Sequence, residues 1–98
     1  MTTAAEIRKI ENDAILAAQR ATVLAMIGDK EEAAKFRAVA DELFEKANAM
    51  MIERYGRKLS SNELMQIEHD EECARLGLPL DTKYLDLWAA QAAESTGA

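Results

Sequence analysis

What this chain lacks narrows its chemistry before any fold is considered. Its 98 residues include one cysteine, one histidine, one proline, one tryptophan and four glycines. Cys73 has no second cysteine to pair with, so the fold does not depend on an intrachain disulfide or an oxidising compartment. A structural zinc normally takes four ligands and a catalytic zinc three, yet His69 and Cys73, one helical turn apart, are the only imidazole and thiol present. The neighbouring Glu68, Asp70, Glu71 and Glu72 could add oxygen ligands, but a charged solvent face accounts for the same residues. A di-iron bundle asks for Glu-x-x-His on two helices, and the chain has none. The glycines are isolated, which excludes a glycine-rich phosphate loop. For Cys73 to act as a nucleophile, the lone histidine would have to serve it without an orienting residue or oxyanion hole. No metal, no cofactor and no enzyme activity are expected.

Long apolar runs are missing too. The longest uncharged stretch, Ala21 to Gly28, is far too short to span a bilayer. The opening residues Met1 to Glu6 show no basic start followed by an apolar core, so an export signal is not expected and a cytoplasmic protein is.

Charge is present but unevenly placed. Residues 1–59 carry ten Lys/Arg and ten Asp/Glu, whereas residues 60–98 carry Arg75 and Lys83 against eight acids, so the net charge of −6 lies in the last two-fifths. Such a surface repels nucleic-acid phosphates and either keeps the chain dispersed or attracts a basic partner. Arg54, Tyr55, Gly56, Arg57 and Lys58 form the one basic cluster, which compensation of a helix C-terminus explains without a nucleic acid.

The positive signal is helical periodicity. Ile7, Ile10, Ala14, Ala17, Ala21 and Leu24 step by threes and fours, and Ala33, Phe36, Ala40, Leu43, Ala47 and Met50 repeat that rhythm after Gly28 and Asp29. This spacing predicts two amphipathic helices, about 3–27 and 30–55, folded back as a hairpin whose alanine-rich seam lets the axes approach closely. Thr2 or Thr3 caps the first helix, Gly28 stops it, and Asp29 with Glu32 makes a capping box for the second, which ends at Gly56.

Ser60 and Glu63 form a further capping box, with Leu59 and Leu64 as its staple, and open a third helix over about 61–76. Gly77, Leu78 and Pro79 close it. Leu80 and Leu85 bracket Asp81 in the same staple arrangement and open a fourth helix over about 82–93. The fold class is therefore all-α, as one helical domain over 1–94 with a hairpin part, 1–57, a helical C-terminal part, 60–94, and a fraying tail at 95–98.

A hairpin alone leaves flanks uncovered: Ile15, Ala18 and Met26 on the first helix, Val39, Phe44, Met51 and Tyr55 on the second. Two hairpins joined as a four-helix bundle would cover them, which favours a homodimer. Trp88, with Tyr84 and Leu85, either fills a partner's pocket or plugs the end of the bundle. The expected interface is Phe44, Met51, Tyr55, Tyr84, Leu85 and Trp88, and the expected function is a non-catalytic protein–protein interaction protein. An alternative assigns the acidic surface Glu68, Asp70, Glu71 and Glu72 to a decoy that inhibits a nucleic-acid-binding protein. Neither reading has the chain touching nucleic acid or membrane.

Residues 32–56, EAAKFRAVADELFEKANAMMIERYG, resemble helical segments of small actinobacterial and phage proteins of unassigned function, with Glu-Ala, an aromatic, alternating Ala and Lys and a terminal Tyr-Gly. That resemblance implies a small phage or mobile-element helical protein and carries no activity. Gly28 to Ala33 also resembles the turn of a tetratricopeptide hairpin, with Ala33 and Ala40 at its small positions. The large aromatic and glycine of that motif are missing upstream, and there is no second copy.

Overall fold

A computed structural model describes residues 2–96 of the chain. It is all-helical, with no strand among the described residues, and contains a long hairpin followed by two shorter helices. The elements are α1 (Ala4–Met26), α2 (Lys30–Tyr55), α3 (Ser61–Leu76) and α4 (Tyr84–Thr96). They fall into two compact units, Met1–Leu59 and Ser60–Ala98.

In the first unit, Ile7, Ala14 and Ala21 on α1 and Ala33, Ala40 and Ala47 on α2 are buried. These are every second residue of the anticipated seam, spaced by seven, and the alternate residues Ile10, Ala17, Leu24, Phe36, Leu43 and Met50 are half-buried. One heptad line, five-sixths alanine, is thus the centre of the hairpin. Each alanine contributes little apolar area, so the pair relies on close fit more than on bulk.

Helix boundaries follow local chemistry. Thr3 Oγ1 accepts from the Glu6 amide at 3.2 Å and starts α1. At its end, Gly28 adopts φ 92° and the amides of Gly28 and Asp29 donate to the carbonyls of Ala25 and Leu24, at 3.2 and 2.9 Å. This paired pattern satisfies carbonyls the helix would otherwise leave open. The expected capping box at Asp29 forms only by half: Asp29 Oδ1 accepts from the Glu32 amide at 3.1 Å. The return bond is lost because the Asp29 amide is already engaged by Leu24, while Glu32 pairs with Lys35 at 3.4 Å.

In the second unit the Ser60 box is complete, with the Glu63 amide donating to Ser60 Oγ at 3.2 Å and the Ser60 amide to Glu63 Oε1 at 3.0 Å. Gly77, at φ 72°, ends α3 with the same paired pattern as Gly28, its own amide reaching Ala74 and that of Leu78 reaching Cys73. The start of α4 departs from expectation. Asp81 is no cap, because Thr82 closes a turn on Pro79 through both its amide (3.1 Å) and its hydroxyl (2.6 Å). The first helical bond then runs from the Leu87 amide to the Lys83 carbonyl, so α4 begins at Tyr84. Its other end outlasts the expected stop at about Ala93 and enters the tail expected to fray at 95–98: the Thr96 hydroxyl donates to the Ala92 carbonyl at 3.0 Å and the helix continues through Thr96. Gly97 and Ala98, also placed in that tail, lie outside the described residues.

Candidate functional site: apolar helix faces and the His69 cluster

The apolar surface of the hairpin is centred on α1. Between Ala14 and Ile27 the only charge is Arg20, and apolar side chains project from all sides. Ala14 and Ala21 are buried, yet Ile15, Leu16, Val23, Met26 and Ile27 are exposed, Leu16 by 62% and Met26 by 80%. Of the anticipated flanks, Ile15, Met26 and Val39 are indeed exposed and Ala18, Phe44 and Tyr55 half-buried. Met51 is the exception: it is 1% exposed and belongs to the core, not to an interface. The cause is helical drift. A helix of 3.6 residues per turn gains on a strict seven-residue repeat, so after Ala40 and Ala47 the buried line continues four residues on, at Met51, and not at Met50. Leu16, Val23, Ile27 and Ile52 were not anticipated as exposed; the signal for the first three was the single charge, Arg20, over residues 14–27, which no stripe-finding rule weighs.

Phe36 is partly sheltered by Arg20, whose guanidinium carbon lies 5.5 Å from the ring centroid. The basic cluster at the end of α2 is engaged within the chain: Arg54 Nε donates to the Thr2 carbonyl at 3.2 Å and its guanidinium lies over the Tyr55 ring, while Arg57 Nη1 donates to the Lys58 carbonyl.

On α4, Leu87 faces inward and is buried, while Leu85 (75% exposed) and Trp88 (57%) point away with Tyr84 at the edge of the same face. Trp88 therefore does not plug a core. Leu80, in the preceding turn, is exposed as well.

Behind this face lies the one buried polar side chain among the described residues, His69, at 5% exposure. Its Nε2 lies 2.6 Å from the Thr82 carbonyl oxygen and its Nδ1 3.3 Å from Asp70 Oδ1. Cys73 Sγ lies 3.6 Å from Nε2, and the Tyr84 ring packs on the imidazole at 4.8 Å between centroids. Trp88 in turn packs on Tyr84 at 6.0 Å. The Thr82 carbonyl, and after it the Asp70 carboxylate, raise the His69 pKa above the usual 6.5 against the opposing effect of burial. Cys73 is fully buried and the nitrogen nearest it is held by Thr82, so the pair is not arranged as nucleophile and base. Among the described residues no group of three His, Cys, Asp or Glu side chains is placed to hold a metal ion.

The acidic surface is partly committed to the fold. Glu72 pairs with Arg75 at 2.6 Å and accepts from Gln91 at 3.1 Å, and Arg75 reaches Glu94 on α4 at 2.8 Å. Arg75 holds the Glu72 and Glu94 carboxyls below their usual range. Asp70 accepts from Gln66 as well as facing His69. Glu68 and Glu71 are half-buried.

No family model, curated protein or solved structure matches the chain. Among the described residues, no helix is long and apolar enough to cross a membrane.

Proposed function

We propose that the chain is a non-catalytic helical docking protein that associates through apolar helix faces its own fold leaves open, with a second copy of itself as the first partner. The observation that carries this reading is the second half of α1. A helix apolar on every side is ordinarily covered on every side, yet in this half of α1 only Ala14 and Ala21 are buried and Ala17, Ala18 and Leu24 half-buried. Two hairpins packed together as a four-helix bundle would cover Leu16, Val23 and Ile27 and give the half-buried residues of the seam a second neighbour. The Tyr84, Leu85 and Trp88 face of α4 offers a second contact surface of the kind that dominates interface energies.

The acidic-decoy alternative is less well supported, because Asp70 and Glu72 already accept hydrogen bonds within the chain and a basic partner would have to compete for them.

Sedimentation equilibrium from micromolar to millimolar chain is the test. The expected result is a reversible dimer that Val23→Glu dissociates without loss of helical circular dichroism. A strictly monomeric chain over that range, or a dimer indifferent to Val23→Glu and Leu16→Glu together, overturns the reading.

A further inference from the structure

Both ring nitrogens of His69 face oxygen atoms that can only accept: the Thr82 carbonyl at Nε2, 2.6 Å, and the Asp70 carboxylate at Nδ1, 3.3 Å. Satisfying the two together requires a hydrogen on each nitrogen, which is the imidazolium form. A neutral ring has one N–H: placed on Nε2 it keeps the Thr82 bond but without the charge that strengthens it, and it turns a lone pair toward Asp70, where the Cys73 thiol, 4.0 Å away, is only a weak donor. With the ring 5% exposed, water is a poor substitute partner.

The position of this bond gives it consequence. Thr82 closes the Pro79–Thr82 turn through its own amide and hydroxyl, two residues before α4 begins. Tyr84 packs directly on the imidazole and Trp88 on Tyr84, so one ladder runs from His69 to the exposed face of α4. Further polar links between α3 and α4 involve Glu72, Arg75, Gln91 and Glu94, farther along both helices.

We propose that His69 is a protonation-dependent pin: as imidazolium it fastens the Pro79–Thr82 turn to α3 and sets the Tyr84 and Trp88 rings, and loss of a proton loosens them. The titratable groups in contact with the ring are Asp70 and Cys73 on α3 and Tyr84 on α4. The turn contributes the Thr82 carbonyl, with Asp81 and Lys83 on either side of it in sequence. The His69 pKa is raised, so the contribution of the charged ring is fully present below pH 6.5 and is lost as pH rises through the folded value.

The inference goes beyond the docking reading and is tested within the chain, so either can fail without the other. Full-length protein with nitrogen-labelled imidazole is titrated by NMR from about pH 5 to about pH 9, a range spanning histidine ionisation. The expected result is two protonated ring nitrogens at the acid end, a midpoint above 6.5, and Tyr84 and Trp88 ring signals that follow it. Asp70→Asn is expected to lower the midpoint and carry the ring response with it. His69→Gln, which cannot titrate, is expected to flatten that response. A midpoint at or below 6.5, ring signals indifferent to it, or a midpoint unmoved by Asp70→Asn overturns the proposal. So does a ring response that persists in folded His69→Gln.

Discussion

The backbone amide of Leu59 donates to the sulfur of Met51 at 3.4 Å, folding the segment after α2 back over a methionine that is itself fully buried. Met51 thereby ends the first unit's core, as the largest side chain on a line otherwise made of alanine on α2. Truncating such a side chain removes its transfer energy and leaves a cavity as well. Met51→Ala is expected to lower unfolding stability by about 2–5 kcal/mol. Met26→Ala, at an exposed position, is expected to change it by no more than about 0.5 kcal/mol. Urea denaturation of both variants checks the contrast, and equal effects would place Met51 outside the core.

A complete capping box should matter more than a half-formed one. Ser60→Ala removes the acceptor for the Glu63 amide and leaves the N-terminus of α3 with an unsatisfied donor, at an expected cost of about 1 kcal/mol. Glu63→Ala breaks the return bond to the Ser60 amide, whereas Glu32→Ala breaks no such bond at Asp29. Amide exchange at the first turn of α3 should therefore rise in Glu63→Ala, and that at the first turn of α2 should stay put in Glu32→Ala.

These caps also mark where sequence reading succeeded. Glycine stops and Ser, Thr or Asp caps act within about four residues, so their physics is written locally, and the ends of α1, α2 and α3 were legible for that reason. The start of α4 was not. Asp81 and the flanking leucines make a respectable cap signal, but Thr82 closes a turn on Pro79 and its carbonyl is held by His69, thirteen residues away, a bond that no local rule weighs against a cap. Met51 was misplaced for a subtler reason, the drift of a real helix from a seven-residue repeat. Tyr84, Leu85 and Trp88 could be nominated as interface residues because of their type; that Leu87 turns inward and Trp88 outward depends on which side of α4 meets α3, which the patchy apolar pattern does not state.

The link between α3 and α4 should weaken in acid. Arg75 holds Glu72 and Glu94 below their ordinary value of 4.5, so both carboxylates favour the folded state above that pH and the contribution is lost as pH falls through their folded values. Glu94 and Arg75 are half-exposed, so salt should weaken the same link. The expected observation is lower amide protection in α4, relative to the intrinsic exchange rate at each pH, below about pH 4.5, with Glu94→Gln moving part of that change to neutral pH. Exchange in α4 that ignores both acid and Glu94→Gln would assign the attachment of α4 to apolar contacts alone.

The alanine line of the hairpin yields the most discriminating test of the packing itself. Ala14, Ala21 and Ala47 are fully buried and Ala40 nearly so, which leaves no exposed volume into which a larger side chain could grow. In a seam built on bulky residues, alanine at such a site would be a weak point and leucine an improvement, since burial of apolar area stabilises. In a close-packed alanine seam the sign reverses, because added methyl groups push the axes apart or force side chains off their preferred rotamers. Ala14→Leu and Ala40→Leu are therefore each expected to destabilise by about 1–3 kcal/mol. Ala25→Leu, at an exposed position beside the seam, should be near neutral. Thermal unfolding of the three variants decides the matter, and a rise in Tm for Ala14→Leu would mean that the helices stand farther apart than this line of alanines implies.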